Sequence, residues 1–187
     1  MNIEVVAEDA DLRIRRMRDE TAEYELMVTW RNSPHVREHW DYDLPPLTLD
    51  SAIAEYREDT AVDARSIACI IELDARPIGF CQSYRWEAYA AELRESGVEA
   101  QPGWWGIDIL IGDTDVINRG IGTKAVRLLV DHLRTERVAV AVALLTTIDN
   151  HRAIRTYEKA GFVKQRRILD TETRHGQRLE CWWMVTE

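Results

Sequence analysis

The chain is 187 residues long, which indicates a single domain spanning residues 1–187. Hydrophobic residues make up 45% of it, enough for a full core, and the formal net charge is −9. This acidic balance disfavours nucleic acid, whose phosphates it would repel, and suits a cationic small molecule, whose approach it would accelerate. The same charge could equally do no more than keep a globular protein in solution.

No stretch of the sequence is apolar for long enough to span a membrane, so no membrane partner is expected. The acidic first residues lack the basic-then-apolar pattern of a secretory signal, which predicts a cytoplasmic protein. The three cysteines are odd in number and widely spaced, as reduced core thiols would be. No spacing of His and Cys predicts a metal site, because His35 and His39 fit a polar helix face better than a ligand pair.

Hydrophobic periodicity predicts seven strands and several helices along the chain. The predicted strands cover residues 12–17, 66–73, 78–86, 104–112, 138–145, 163–170 and 179–185. The predicted helices cover residues 20–30, 34–40 and 48–58, then start near residues 120 and 150. Residues 87–103 are polar, and we interpret them as an insertion over the site. The order predicts an α/β (α+β) domain, a mixed central sheet of six to seven strands with flanking helices.

Residues 107–124, with the sequence IDILIGDTDVINRGIGTK, combine a buried strand, a polar turn and a glycine-rich helix start. Gly120 and Gly122 allow a tight turn and a close approach to the backbone amides. Amides at the positive end of a helix favour a phosphate group. The segment is not a nucleotide P-loop, because no Gly-Lys-Ser/Thr follows four residues after a first glycine. It is not the dinucleotide fingerprint either, because only Gly120 and Gly122 are present. Asp108 interrupts the apolar run, and burying it without a partner would be costly.

Residues 150–162, with the sequence NHRAIRTYEKAGF, form a second informative segment. Asn150 suits a helix start, and Gly161 suits a helix end. Together the two segments resemble the Gcn5-related N-acetyltransferase (GNAT) superfamily, over roughly residues 67 to 165. The resemblance implies the acetyltransferase fold, in which the strands at 104–112 and 138–145 splay apart around the pantetheine arm of acetyl-CoA.

The resemblance also implies where acetyl-CoA binds. Backbone N–H groups of Ile109, Leu110 or Ile111 would hold the pantetheine and polarise the thioester carbonyl. The phosphate loop would comprise Asn118, Arg119, Gly120, Ile121, Gly122, Thr123 and Lys124, and the second segment would contribute Asn150, Tyr157 and Lys159. The family often has Gln or Arg where this chain has Ile117, so one side-chain contact to phosphate is expected to be weaker.

Acetyl transfer to an amine needs a positioned thioester, a neutral amine and a proton for the departing thiolate. Tyr157 is the candidate acid, because a phenol with a pKa of about 10 is protonated at neutral pH and can donate to the thiolate. Its alternative role is a helix aromatic that packs on the sheet. Asp108 is the candidate base or substrate anchor, and its alternative role is a structural carboxylate paired with an arginine.

Further segments resemble the aminoglycoside 6′-N-acetyltransferases. They are PIGFCQSY at residues 77–84, GID at residues 106–108 and His39-Trp40. The resemblance implies an acidic acceptor pocket lined by Trp40, Asp41, Asp43, Tyr84 and Asp108. Trp104 and Trp105 are expected beside it, stacked on sugar rings or holding a cation, or else in the core or a dimer surface.

One position departs from that family. Its second acidic residue lies late in the strand before the Asn segment, where this chain has Leu145, and Asp149 comes three residues too late. Several carboxylates hold a polycation better than one, so this departure bears on specificity. The glutamates of the insertion could compensate or could form a solvated helix face. They are Glu87, Glu92, Glu95 and Glu99.

The sequence therefore predicts an acetyl-CoA-dependent N-acetyltransferase that acts on a primary amine of a cationic small molecule, the 6′-amine of an aminoglycoside. One alternative is acetylation of a protein N-terminus, a lysine or a siderophore-precursor amine, which predicts an open, shallow groove. Another is a non-catalytic acyl-CoA-binding module. A monomer or a homodimer is expected.

Overall fold

The computed structural model describes residues 4–40, 43–61, 63–99 and 101–186, without the side chain of Glu92. Its eight strands are β1 (Val5–Asp9), β2 (Leu12–Arg16), β3 (Ser66–Leu73), β4 (Arg76–Arg85), β5 (Trp104–Ile111), β6 (Ala141–Thr147), β7 (Val163–Arg174) and β8 (Gln177–Thr186). They form one sheet in the order β1-β2-β3-β4-β5-β6-β8-β7. Neighbouring strands are antiparallel except β5 and β6, which are parallel.

Six α-helices accompany the sheet in the part of the chain that the structure describes. They are α1 (Thr21–Arg31), α2 (Pro34–Arg37), α3 (Leu49–Tyr56), α4 (Ala90–Glu95), α5 (Ile121–Glu136) and α6 (His151–Lys159). Two of them start at the side-chain caps that the sequence indicates. Thr48 and Ser51 form a reciprocal capping box before α3, and the Asn150 side chain accepts a hydrogen bond from Ala153 N at the start of α6.

Four strands of the structure differ from the sequence prediction: β1, β6, β7 and β8. Strand β1 was not predicted, so the sheet has eight strands rather than six to seven. Strand β6 begins at Ala141, because Val138 and Val140 belong to an exposed connection. Strands β7 and β8 extend to a tight turn at His175 and Gly176, both with positive φ, as two-residue hairpins require.

The core lies on both faces of the sheet. Helix α5 packs its apolar side, including Ala125 and Leu129, against one face. Helices α1 and α3 cover the other face, where Met27 meets Phe80 in a separate cluster. A third cluster joins the insertion to the end of the sheet through Trp86. Within the described ranges, no helix has the length and apolarity to cross a membrane.

The central feature of the sheet is the separation of β5 from β6. The two strands pair only at Trp104–Gly106 with Ala141–Ala143. Beyond Gly106 they diverge, which confirms the splay implied by the family resemblance. The gap leaves one edge of β5 without a partner strand, and the starts of α5 and α6 lie beside it.

Candidate active site

A cavity of about 630 Å³ occupies the gap between β5 and β6. This volume falls within the usual range of small-molecule sites, about 300–1,000 Å³. One half is lined by residues 109–111 of β5, the connection 116–118, the first turn of α5 and the inner face of α6. The other half is lined by side chains of β4, the insertion, β7 and β8. Asp108 lies where the two halves meet.

The backbone of β5 presents polar groups to the first half. Gly112 N donates to Ile78 O on β4 at 2.9 Å, which fixes the alternation along the strand. The N–H and C=O groups of Ile109 and Ile111 therefore face the gap, whereas the N–H of Leu110 faces β4. Ile111 O lies 3.0 Å from Nε2 of His35, a side chain that also lines the cavity. Leu110 therefore lines the cavity, but its backbone N–H group points to β4 and not to a ligand in the gap.

The first turn of α5 forms the floor of the same half. Gly120 precedes it with φ of 80°, a conformation that glycine adopts without strain. A Cβ added at Gly122 would lie 3.7 Å from the Thr156 side chain, an ordinary contact. Asn118 and residues 120–123 line the cavity, so unpaired N–H groups of the helix start border it.

Two residues predicted for the phosphate loop do not line the cavity. Arg119 and Lys124 are exposed and lie outside the cavity wall that the structure describes. The reason for Lys124 is helical periodicity, because Ile121 and Ala125 turn the buried side of α5 towards the sheet. The cations that line this half come instead from α6, where Arg152, Arg155 and Lys159 lie along the cavity. Asn150 lines it as well, while its side chain caps the helix.

Tyr157 lines the cavity from α6 and is 7% exposed. Its ring packs against Phe162 with centroids 5.8 Å apart, so its orientation is fixed by the core. Burial raises the pKa of Tyr157 well above its usual value, and the charge of Asp108 raises it further. The phenol therefore holds its proton throughout the neutral range.

Asp108 is bonded to two neutral groups of β4. Gln82 Nε2 donates to Asp108 Oδ2 at 2.7 Å, and Tyr84 also hydrogen bonds to this carboxylate. Burial raises the pKa of Asp108 above its usual value, although both hydrogen bonds oppose the rise. Among the described residues, no arginine or lysine forms an ion pair with it. Its charge is therefore held in place without being neutralised.

The second half of the cavity combines aromatic rings with carboxylates. The Tyr84 ring lies so close to Gly106 that a Cβ there would come within 2.2 Å of it. Tyr84 packs edge-on against Trp86 and Tyr89, with centroids 5.1 and 4.8 Å apart. Trp40 also lines the cavity, as predicted for the acceptor pocket. Among the carboxylates that line the cavity, Asp108, Asp170 and Glu172 lie on β5 and β7, whereas Glu55 lies on α3 and pairs with Arg31.

The other predicted acceptor residues occupy different positions. Trp104 stacks on Trp183 with the ring planes 5° apart, and Trp105 is 5% exposed within the core. Neither belongs to the cavity wall in the described part of the chain, because strand pairing turns both into the sheet's packing layers. Asp43 accepts hydrogen bonds from the turn between β7 and β8, at His175 N (2.6 Å) and Gly176 N (3.1 Å). Asp41 lies outside the described residues.

The sequence prediction did not include two residues of the site. Gln82 lies opposite Asp108 in the pairing of β4 with β5. It is two residues before the predicted acceptor residue Tyr84 and so shares its face of the strand, a signal that could have found it. Asp170 lines the acceptor half from β7, and the only sequence signal for it was its place in a predicted strand. Of the insertion's glutamates, the three whose side chains the structure describes lie outside the cavity wall. Glu87 accepts from Gly103 N at 3.0 Å, and Glu95 and Glu99 are exposed.

The family described as acetyltransferase (GNAT) domain matches residues 19–169 of this chain. The chain belongs to the GNAT acetyltransferase family. An aminoglycoside N(6′)-acetyltransferase type 1 from Klebsiella pneumoniae is 32% identical over 140 residues, 75% of this chain and 69% of the relative. The GNAT assignment identifies an enzyme and accounts for the splayed strands, the glycine-rich helix start and the Asn150 segment together.

Solved structures agree with the GNAT assignment. The structure of AAC(6′)-Ib in complex with ribostamycin and coenzyme A is 28% identical, with a TM-score of 0.82 over 95% of this chain and 93% of that one. The structure of AAC(6′)-Ib with coenzyme A and kanamycin is also 28% identical, with a TM-score of 0.79 over 94% of each chain. Within the described ranges of this acetyltransferase, no group of His, Cys, Asp and Glu side chains is placed to hold a metal ion.

Proposed function

We propose that this acetyltransferase transfers the acetyl group of acetyl-CoA to a primary amine of a cationic small molecule, the 6′-amine of an aminoglycoside. The observation that carries the proposal is the position of Asp108. It lies between a cavity half bordered by backbone amides and cations and a half bordered by aromatic rings and carboxylates. One cavity thus offers complementary charge to an anionic acyl donor and to a cationic acceptor.

The first half suits acetyl-CoA, which supplies the activated thioester. The gap-facing backbone groups of Ile109 and Ile111 would bind the pantetheine amides. The N–H groups at the start of α5 and the guanidinium of Arg155 would bind phosphate oxygens. Residues Asn118, Gly120, Ile121, Gly122, Thr123, Asn150 and Lys159 complete the proposed contacts.

The second half suits an ammonium group. Asp108 would hold the acceptor amine, take up one of its protons and leave the nitrogen lone pair free to attack the thioester carbonyl. The raised pKa of Asp108 favours this proton uptake over that of an ordinary carboxylate. Tyr157 would give its proton to the sulfur as the carbon–sulfur bond breaks. The nitrogen of the resulting intermediate loses its second proton as the amide forms, and that proton restores the Tyr157 hydroxyl group. One amine proton thus ends on Asp108 and the other on the CoA thiol.

The shape of the acceptor half supports a small acceptor. Tyr84, Trp86 and Trp40 wall it, whereas a protein N-terminus or a lysine side chain would need an open, shallow groove. The relatives named above carry aminoglycoside acetylation in their names, and their complexes contain aminoglycosides. These likenesses support the 6′-amine as the acceptor group.

Release of the CoA thiol tests the proposal. The assay uses acetyl-CoA with kanamycin, tobramycin and an aminoglycoside bearing a 6′-hydroxyl group, beside spermidine and a short peptide. We expect turnover with the two 6′-amino compounds and none with the 6′-hydroxyl compound. Turnover with the peptide or spermidine alone would refute the aminoglycoside assignment. The variant Tyr157→Phe serves as the control for enzymatic, rather than spontaneous, thiol release.

A further inference from the structure

We infer that Asp170 on β7 is a second acceptor-binding carboxylate, which replaces an acidic residue on β6 where this chain has Leu145, and that Arg178 is its positioning residue. The inference rests on the proposed function and deepens it. It assigns to the site an acceptor with at least two ammonium groups, one that reacts and one that binds Asp170.

The strand register brings Asp170 to the cavity. Thr147 on β6 pairs with Cys181 on β8, and Cys181 pairs with Ile168 on β7. Side chains two residues apart on a strand share a face, so Asp170 lies on the same side as Ile168. Both are buried or half-buried there, and Cys181 Sγ lies 4.0 Å from Asp170 Oδ2. Leu145 lies on this face too, two residues before Thr147.

Asp170 lies at an irregularity in β7. The pairing of β7 with β8 shifts register between Leu169 and Thr173. Arg178 stabilises the irregular segment. Its Nε donates to Asp170 O at 2.6 Å, and its Nη2 donates to Leu169 O at 2.7 Å and to Glu95 O at 3.3 Å. Thr171 N donates to Asp170 Oδ1 at 2.7 Å, which orients the carboxylate.

The two carboxylates share one electrostatic field. The negative charge of Asp170 contributes to the raised pKa of Asp108 and of Tyr84, so it lies within Coulombic reach of the proposed reacting centre. Arg178 donates three hydrogen bonds to backbone carbonyl groups rather than to the Asp170 carboxylate. A second ammonium group on the acceptor would meet Asp170 while the first meets Asp108. An acceptor with two ammonium groups is therefore expected to bind more tightly than a monoamine.

Steady-state kinetics of Asp170→Asn with two acceptors test the inference. Kanamycin carries several ammonium groups, whereas 6-amino-6-deoxyglucose carries one. We expect the KM for kanamycin to rise about tenfold or more, as for a lost charge contact, with kcat changed less than about twofold. The kcat/KM for 6-amino-6-deoxyglucose should stay within about twofold. An equal loss with both acceptors, or no loss with kanamycin, would overturn the inference.

Glu180→Gln is the matched control. It removes the same charge from the adjacent strand, where Glu180 is exposed and lies opposite Leu169, on the other face from Asp170. We expect no change in the KM for kanamycin. If the control raises the KM as much as Asp170→Asn does, the effect comes from net charge alone and the inference fails.

Restoring the charge on β6 gives a second test. Leu145→Asp in the Asp170→Asn background should recover at least half of the lost kanamycin affinity, in logarithmic units. Arg178→Ala should raise the KM for kanamycin without affecting 6-amino-6-deoxyglucose, and Arg178→Lys should recover part of the loss. An Arg178→Ala variant that lowers kcat/KM equally for both acceptors would assign Arg178 a general folding role instead.

Calorimetry separates this inference from the proposed function. Binding of kanamycin to the enzyme with CoA, in place of acetyl-CoA, requires no turnover. Weaker binding by Asp170→Asn than by wild type supports the inference even if no aminoglycoside is acetylated, an outcome that would refute only the proposed function. Equal binding by the two proteins refutes the inference even if the wild type acetylates kanamycin.

Discussion

Gln82 and Asp108 lie directly opposite each other on β4 and β5, and Gln82 Nε2 donates to Asp108 Oδ2 at 2.7 Å. A neutral amide orients the carboxylate and leaves its charge in place. An arginine in the same position would neutralise that charge. Tyr84 adds a second neutral donor from the same strand. The charge of Asp108 thus remains available for an ammonium group that enters the cavity.

Replacement of Asp108 by Asn tests its role as anchor and base. We expect a higher KM for cationic acceptors and a kcat lower by about a hundredfold or more, the usual range for a lost general base. The KM for acetyl-CoA should change little, because the gap-facing backbone of β5 is retained. Initial-rate kinetics with kanamycin measure both effects. Unchanged kinetics would show that Asp108 takes no part in the reaction.

The same variant has an expected effect on stability. The pKa of Asp108 is raised in the folded state, so the folded protein binds this proton more tightly than the unfolded chain does. Ionisation of Asp108 therefore destabilises the folded protein as the pH rises from the unfolded-state pKa of this group through its folded-state pKa. The contribution of Asp108 to stability is largest at low pH. Asp108→Asn should be more stable than wild type at neutral pH, with the difference shrinking as the pH falls. Urea unfolding at several pH values measures it, and a constant difference would contradict the expectation.

Tyr157→Phe isolates the proton donor. The phenylalanine ring keeps the contact with Phe162, so the melting temperature should change little. Loss of the hydroxyl group should lower kcat by about ten- to a thousandfold, while the affinity for acetyl-CoA stays near that of wild type. Stopped-flow or steady-state thiol release measures kcat, and calorimetry with CoA measures the affinity. A kcat equal to that of wild type would remove Tyr157 from the mechanism.

The two glycines of the α5 start are expected to respond differently to alanine. Gly120→Ala forces a side chain into φ of 80° and should lower the free energy of unfolding by about 1 kcal/mol, although its Cβ would meet nothing within 4 Å. Gly122→Ala makes only ordinary protein contacts, so its stability should be close to that of wild type. Its methyl group borders the cavity beside the helix amides and should raise the KM for acetyl-CoA. Thermal unfolding and kinetics of the pair test this, and a Gly122→Ala enzyme with an unchanged KM would exclude close approach of the cofactor there.

Local sequence patterns predicted the parts of the site that are contiguous in the chain. The strand, turn and glycine-rich helix start at 107–124 lie where the sequence placed them, because hydrophobic alternation and glycine conformation act locally. Asp170 could not be predicted in this way. Its place beside the cavity depends on the pairing of β8 with both β6 and β7 and on hydrogen bonds from Arg178, which involve residues distant from the cavity-forming motifs. Trp105 shows the same limit: the sequence left both the pocket and the core open for it, and strand pairing decides which face a tryptophan takes.

Asp43, predicted as an acceptor contact, instead fastens the segment after α2 to the turn between β7 and β8. Its carboxylate accepts hydrogen bonds from His175 N, Gly176 N and Thr173 Oγ1, at 2.6 to 3.1 Å. These bonds hold the pKa of Asp43 below its usual value. The stabilisation they give is therefore present above the pKa of the unfolded chain and is lost as the pH falls through the lower folded-state pKa.

Asp43→Ala should loosen this connection at neutral pH. We expect faster amide hydrogen exchange at His175 and Gly176, because both N–H groups lose their acceptor. We also expect a higher KM for the acceptor, because Trp40 is only three residues before Asp43 in the chain. The difference in exchange between variant and wild type should shrink in acid, once wild-type Asp43 is protonated. NMR exchange rates at two pH values measure this. Asp63→Ala, at an exposed site distant in sequence from the turn, is the control, and equal protection in wild type and Asp43→Ala at neutral pH would show that the three bonds do not hold the turn.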